Sequence, residues 1–576
     1  RSIIIHSSCQ CFSDGNNALW QKGRWNMALF SKKTPSLYEV SDLESFRQLF
    51  VDAQHSSGDT VAVKFKERSG FHDVTYNELL STIDAISTGI CCQPCKSGHI
   101  AVLSPNNFKS LSIYLAVLCS DKTLVPVDWE LPFVEIINIL NHSDCDTVFF
   151  DSAYTELFLE NKKQLPKLKN YICLQMKEHE EHDGICSYDR LVEKGQTALA
   201  AGEEAFLSLR PGEKDDRLIF YKNGSSDSLR GIVFSDIALR KAIISFLQMV
   251  PLSERCLSVL PFDRPTDFIC GILASFHSHS TVCLNNSLKS FQKDLKEYKP
   301  SYTFLPPLYV ENIWQKVVHT LEKQGRIDTF KTLVKTSNAM RKVGLDKRKS
   351  FFSAIHETLG GNLSRIYVGG APLNPEAARF FEDIGITVFP FYSVSECASA
   401  ISVNREKLND FSSAGLPLPC MQIKLDDPDE EGAGEICVRG DTMMTGYYKN
   451  DRATANLVEL SGWFHTGDIG KLNNMGQLYI TGRLKNEIVL KSGRSVLPEE
   501  IESYLLALPF VKAAKVYANK DSEGAERTLA ADITLEEEYF ENTNTSGRVA
   551  LVKEKIDRLN KTLPACKRIH SVHIQK

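Results

Sequence analysis

Residues 364–396 read "SRIYVGGAPLNPEAARFFEDIGITVFPFYSVSE". The run at 365–368 is apolar and strand-like, and "GGAPL" at 369–373 breaks it. A helical stretch follows, then a second strand-like run, "ITVFP", which ends in "FYSVSE" at 391–396. Strand, helix and strand joined by short turns make the unit of a parallel α/β layer. Open layers of this kind bind ligands beyond the C-terminal ends of their strands. The two breaks are therefore where chemistry is expected. Gly369 and Gly370 allow backbone to approach a ligand closely. Tyr392, Ser395 and Glu396 bring an aromatic ring, a hydroxyl and a carboxylate to one strand end.

The same alternation extends in both directions. Strand-like "HIAVLSPNN" (99–107) precedes helical "FKSLSIYLAVLCS", and "TLVPVDW", "PFVEIINILNHS" and "DTVFFDS" repeat the order. It resumes at "CLSVLPF", "GILASF", "TVCLN" and "SYTFLPP". After about residue 482 the pattern changes to a smaller unit with strands at "NEIVL", "KAAKVYAN" and "LAADITL". Its helix, "VALVKEKIDRLN", sets Val549, Val552, Ile556 and Leu559 on one face. The fold class expected is α/β: a large N-terminal α/β domain with layered sheets (27–482), joined by a hinge to a small C-terminal α+β domain (483–576). Residues 1–26, "RSIIIHSSCQCFSDGNNALWQKGRWN", read as a leader ahead of Met27, and their apolar patch is too short for a signal-peptide core.

Composition excludes some functions. The 576 residues carry 67 basic and 72 acidic side chains, a net charge of −5, without the basic excess of a nucleic-acid binder. No stretch has the apolar length needed to span a bilayer. Charge alone does not decide peripheral membrane contact, nor the oligomeric state. Sixteen scattered cysteines suit reduced thiols and a cytoplasmic setting, with membrane association left open. The Cys92/Cys95 pair lacks a second ligand pair for zinc, and "HEEH" (179–182) reads as a solvated charged run.

Further loops carry chemistry-bearing residues. "YKNGSSDSLRG" (221–231) lies between "RLIF" and "GIVFSD" and reads as strand, Gly/Ser loop and helix start, the order of a phosphate cradle. It lacks the Gly-Lys-Ser/Thr ending of a Walker loop. "GWFHTGD" (462–468) offers Asp468 on a glycine turn, "GRLKN" (482–486) adds Arg483 and Lys485, and "KSGRSVLPEEIE" (491–502) adds a glycine turn before a helix. Each alone is as readily a structural turn. Their order is what speaks.

In that order the chain resembles the adenylate-forming acyl-CoA synthetases, most strongly over "GEICVRGDTMMTGYYKNDRAT", "GWFHTGDIGKLNNMGQLYITGRLKNEIVLKSGRSVLPEEIE" and "GGAPLNPEAARFFEDIGITV". Within them it is most similar to long-chain fatty acid–CoA ligases. The resemblance implies ATP, Mg²⁺ and CoA as cofactors and a fatty acid as substrate, with an acyl carrier protein as the other possible acceptor. The acid would form acyl-AMP, and a thiol would then take the acyl group. It also implies roles by position. Tyr392, with Phe391 beside it, would stack on adenine, and backbone at Gly369, Gly370, Ala371 and Pro372 would line the base pocket. Ser395 would touch the α-phosphate and Glu396 would hold Mg²⁺. Asp468 would bind ribose, helped by Arg483. Lys485 would be the hinge, and Lys491, Ser492 and Gly493 would approach the thiol channel. Lys222, Asn223, Gly224, Ser225, Ser226, Arg230 and Gly231 would cradle the outer phosphates.

Departures from the family pattern gather near phosphate. Asp227 replaces a glycine, Leu229 a proline and Arg230 a lysine. A carboxylate about 4 Å from a phosphate charge costs roughly 1 kcal/mol in water. Ser393 stands for a glycine and Ser395 for a threonine, and "LPFDRPTDF" (260–268) has Asp263 and Arg264 near the place of a histidine. The family's catalytic lysine is expected beyond Lys576. Two further readings keep the fold: a degenerate member that binds nucleotide or acyl groups with weak or no turnover, and an amino-acid-activating enzyme, which "FDRPTDF" faintly resembles. A third, a phosphopantetheine site at Ser228 in "DSL", needs a helix start in a small bundle, and this serine instead follows a strand.

Overall fold

The computed structural model describes residues 3–5, 36–93, 96–177, 184–210, 212, 215–222, 229–285, 288–398, 400–484, 488–489, 495–496, 498–520, 526–540, 545–563 and 567–575. The stretch at 364–396 folds as its pattern predicts. Strand Arg365–Val368 leads through the glycine turn to helix Pro375–Ile384, then to strand Thr387–Tyr392. Asn374 starts the helix by accepting from the Glu376 N–H, with Pro375 in the first turn where its missing donor costs nothing. Gly385, at φ 94°, ends it in the left-handed conformation that glycine tolerates best. The face turned inward carries Ala377, Ala378, Phe380, Phe381 and Ile384, all buried. The two flanking strands pair in parallel, Ile366 opposite Val388 and Val368 opposite Pro390.

Two large sheets are built this way. A nine-stranded sheet holds, in order, Thr387–Tyr392, Arg365–Val368, Tyr302–Leu305, Arg255–Ser258 and Thr281–Leu284 as its parallel centre. An eight-stranded sheet has Thr123–Pro126, His99–Leu103 and Thr147–Phe150 at its centre. Helices Phe108–Cys119 and Asp236–Met249 are buried along most of their length, as expected of elements packed in an α/β core. A five-stranded sheet includes the antiparallel strands Met421–Asp426, Gly434–Gly440, Phe464–Leu472 and Leu478–Arg483. A separate three-stranded sheet near the C-terminus, Val511–Lys520, Glu526–Leu535 and Ile569–Gln575, packs with its helices around its own core. The α/β class with layered sheets and a small C-terminal α+β unit is therefore the fold observed.

Three local expectations change. "GIVFSD" does not start a helix: Arg230–Ser235 is a strand, antiparallel to Asp216–Lys222, with Arg230 opposite Lys222. The run Ile232–Phe234 is β-branched and aromatic and continues the sheet, and the helix waits for Asp236, capped by Ser235. In helix Thr545–Thr562, Val552 and Ile556 are buried but Val549 is 49% exposed, so the inward face begins one turn later than the periodicity suggests. Asp468 lies within strand Phe464–Leu472 rather than on a free turn.

Helix Pro498–Leu506 packs against strand Leu478–Arg483 of the five-stranded sheet, and Lys567 Nζ lies 3.1 Å from Glu431 Oε2 in the loop before Gly434–Gly440, which Lys471 also approaches at 3.5 Å. Among the described residues no helix is long and apolar enough to cross a membrane.

Phe381 is fully buried where the helix behind the Gly369 turn meets the nine-stranded sheet. Phe381→Ala is expected to cost about 3–5 kcal/mol, lowering the midpoint of the first urea transition followed by circular dichroism.

Candidate nucleotide and acyl site

Three strand ends converge beyond the nine-stranded sheet. Strand Thr387–Tyr392 delivers Phe391 and Tyr392, both buried. The Tyr392 hydroxyl donates to Asp468 Oδ2 at 2.5 Å. Burial, with the Asp468 carboxylate against it, raises that hydroxyl well above the usual phenol range, so Tyr392 stays a donor. Asp468 Oδ1 is 3.0 Å from Arg483 Nε, and Asp468 and Arg483 are register partners on adjacent strands. The Arg483 side chain is 71% exposed while that of Asp468 is 7% exposed. The carboxylate thus lies in the floor of the site and the guanidinium lies over it.

Glu396, four residues past Tyr392, is buried, and its Oε1 accepts from the Tyr447 hydroxyl at 2.8 Å. Burial and the neighbouring Glu396 charge raise the Tyr447 hydroxyl far above its ordinary value. Arg230 sits over the Tyr447 ring at 5.4 Å. The strand Gly446–Tyr447 pairs with Arg230–Ser235, and Tyr448 N donates to Gly231 O, so Tyr447 is clamped to the base of the Gly/Ser loop. Gly231 has no room for a side chain: a Cβ there would lie 2.9 Å from Ile219 Cγ2 and 3.0 Å from Tyr221 Cζ.

The glycine pair divides its work. A Cβ on Gly369 would fall 2.3 Å from the Phe391 ring, so the strand end and the ring can be neighbours only with glycine there. Gly370 has φ +87° and open space around it, presenting bare backbone outward. Ala371 and Pro372 follow on the same exposed turn. Ser395 is half-buried beside Glu396. Lys222 ends its strand opposite Arg230. The positions Asn223, Gly224, Ser225, Ser226, Lys485, Lys491, Ser492 and Gly493 lie outside the described residues, as do Asp227, Ser228, Cys95 and the "HEEH" run.

Phe391 also packs near the wall of a second, small space. Its ring centroid is 6.4 Å from that of Phe304, and Phe304 lines a narrow cleft with Ser258–Pro261, Asp267, Phe268 and Gly271. The volume of this cleft is only about 10 Å³. One acid, Asp267, lines it, and a second, Asp263, lies four residues earlier in the chain. Burial, only partly offset by Arg264, pushes Asp263 up to about 6 and Asp267 up to about 7, the proximity of the pair adding to the second. Asp263 Oδ1 is buried without a hydrogen-bond partner.

Comparison with known proteins gives these features a place. The family model described as "AMP-binding enzyme" matches residues 50–448. The chain belongs to the AMP-binding enzyme family. It is 26% identical over 519 residues to the long-chain-fatty-acid–CoA ligase 6 of Mus musculus, covering 84% of this chain and 72% of that one. It is 25% identical over 543 residues to the long-chain-fatty-acid–CoA ligase FadD15 of Mycobacterium bovis, covering 89% and 86%. Among solved structures, an anthranilate CoA ligase, AuaEII, in complex with anthranoyl-AMP aligns over 95% of each chain with a TM-score of 0.70 at 14% identity. At that identity the likeness speaks for the fold, which this AMP-binding enzyme shares.

The structure thus brings together Phe391, Tyr392, Glu396, Asp468, Arg483 and Arg230, with the Gly369–Pro372 turn beside them. Tyr447 was not singled out from the sequence, although it sits in the quoted "TGYYKN". Its signal, an aromatic hydroxyl on a short strand next to the Gly/Ser loop, becomes legible only when the sheet order is known.

The acid pair predicts a pH effect. A carboxyl raised above its ordinary value stabilises the fold while protonated, below about pH 4, and that stability is lost as pH rises through about 7. Asp267→Asn should therefore melt a few degrees above the native protein at pH 8, with the gap closing toward pH 5, by differential scanning calorimetry.

Proposed function

We propose that this AMP-binding enzyme activates a fatty acid with ATP and passes the acyl group to a thiol, that of CoA. The observation that carries the reading is the pair of buried carboxylates at the end of the Thr387–Tyr392 strand, Asp468 held by Tyr392 and Arg483, and Glu396 held by Tyr447. Asp468 keeps lone pairs beyond those given to Tyr392 and Arg483, enough to accept from two ribose hydroxyls. The Gly370 backbone and the Phe391–Tyr392 edge offer a flat apolar slot for a purine. A single buried carboxylate such as Glu396 suits Mg²⁺, which takes one or two protein oxygens and completes its shell with phosphate and water. When bound, the ion would neutralise phosphate charge as the acid attacks.

The chain's own residues supply the rest. The substrate carboxylate oxygen forms a bond to the α-phosphorus and the bond to pyrophosphate breaks, leaving acyl-AMP. A thiol then attacks the acyl carbonyl and AMP departs. Arg230, over Tyr447 and next to the Gly/Ser loop, places positive charge where pyrophosphate would leave. Ser395 lies within reach of the same phosphates. In this reading the unit beyond Gly482 moves about Lys485 between the two steps, bringing the 491–493 segment to the thiol, as hinged units do when one site serves two reactions.

A second reading has one observation in its favour. The unpartnered Asp263 Oδ1 would accept from a substrate amino group, which suits an amino-bearing carboxylic acid. Pyrophosphate release measured over a panel of fatty and amino acids separates the two. Release with fatty acids, cut at least about a hundredfold by Glu396→Gln and by Asp468→Asn, is the expected result. Release with amino acids alone would favour the second reading. Tight ATP binding without release for any acid would leave a nucleotide-binding protein that does not turn over.

A further inference from the structure

Asp468 owes its place to a defect in its strand. Cys437 faces His465 and Glu435 faces Ile469, so residues 466–468 bulge opposite Ile436 alone. Gly467, at φ +72°, makes the bulge possible, and Asp468 leaves it pointing at Tyr392. Such a bulge needs something to hold it, because its extra N–H groups have left the ladder. Thr466 Oγ1 donates to Ile436 O at 2.7 Å and accepts from Asp468 N at 3.1 Å. The Gly467 N–H donates at 3.0 Å to a side chain, Glu435 Oε1.

Glu435 is itself tethered. Its other oxygen is 2.7 Å from His465 Nδ1, and His465 Nε2 is 2.9 Å from Glu459 Oε1. An imidazole with carboxylates at both nitrogens must donate from both, which only the protonated ring can do. Partial burial pulls the His465 pKa down, but the hydrogen bonds to Glu435 and Glu459 outweigh it and the net shift is upward. The groups facing His465 are Glu435 and Cys437 on one strand, Asp426 and Lys424 on the next, and Glu459 in the preceding loop. Asp426, Cys437 and His465 are close enough to share a metal ion, but Lys424 Nζ, 3.0 Å from Glu459 and 3.7 Å from Asp426, already places a cation in that corner.

We propose that Glu435, anchored by protonated His465 and Glu459, is a positioning residue for nucleotide binding, fixing the bulge that aims Asp468. The inference rests on Asp468 gripping the ribose, as proposed above. Glu435 touches no substrate. It acts by denying the Gly467 peptide other orientations. Once His465 loses a proton, one ring nitrogen turns a lone pair toward a carboxylate, the tether weakens and the bulge loosens. Nucleotide affinity should then hold at pH below the raised His465 value and fall above it.

The test uses Glu435→Ala, Glu435→Gln and Asp468→Asn, with AMP binding by calorimetry and pyrophosphate release across pH. Glu435→Ala is expected to weaken AMP about tenfold and raise the ATP KM to match, as for one charge-assisted hydrogen bond, with kcat and the acid KM within about threefold. Glu435→Gln should recover part of the loss, since its amide oxygen still accepts from Gly467. The pH-dependent rise in ATP KM seen with the native protein should flatten in both. Native AMP affinity in Glu435→Ala, alongside a clear loss in Asp468→Asn, would overturn the clamp and leave the ribose reading standing. Native affinity in Asp468→Asn would overturn both. A general packing role for Glu435 would lower kcat and raise the acid KM together, which also counts against the proposal.

Discussion

The carboxylate of Asp468, shared between the Tyr392 hydroxyl and the Arg483 guanidinium, is the contact on which the rest of the site depends. Tyr392 ends a strand of the nine-stranded parallel sheet, while Asp468 and Arg483 belong to the five-stranded antiparallel one. Two bodies of different construction are thereby tied at the point where a ligand would sit. Because the bond is buried on the aspartate side, losing either partner would strand a polar group away from water, a penalty larger than the bond's own net worth. Tyr447 and Glu396 repeat the arrangement between the nine-stranded sheet, whose strand Thr387–Tyr392 leads to Glu396, and the short strand Gly446–Tyr447 of the eight-stranded sheet. Paired hydroxyl–carboxylate contacts of this kind keep acidic groups in place while leaving lone pairs for a ligand.

Much of this was legible in the sequence, and the reasons it was legible are local. Helix Pro375–Ile384 announces itself through its cap, its proline and its closing glycine, and the parallel strands on either side are too apolar for anything but a covered sheet. The positions of Tyr392, Glu396 and Arg483 follow from strand ends that short-range chemistry marks clearly, whereas Asp468 sits inside a strand, at a bulge. What stayed hidden depends on pairing between distant segments. "GIVFSD" looked like a helix start because a glycine loop precedes it, yet Ile232–Phe234 had a strand to join and took it. Val549 fits the helical period of its segment but is 49% exposed, while Leu551, Val552 and Ile556 turn toward the core of the C-terminal unit. The Glu435–His465 tether could not be foreseen at all, since it spans 30 residues and needs the bulge to form.

The small cleft lined by Phe304 shows how a familiar scaffold can carry an unfamiliar lining. Its walls are largely apolar, while Asp267 brings an acid that burial holds partly protonated near neutral pH. Neutral acids can donate as well as accept, so the cleft offers hydrogen bonding without a fixed charge.

The ion pair between Lys567 and Glu431 has a kinetic consequence. Ion pairs near solvent contribute little, about 0–1 kcal/mol, and salt screens them. If the three-stranded unit reorients during turnover, this contact would be an electrostatic catch that opens at almost no energetic cost. Its hold would be graded by ionic strength, so the surrounding electrolyte would help set how often the unit leaves its seat. The rigid part of the site would meanwhile stay fixed by buried bonds that salt scarcely reaches.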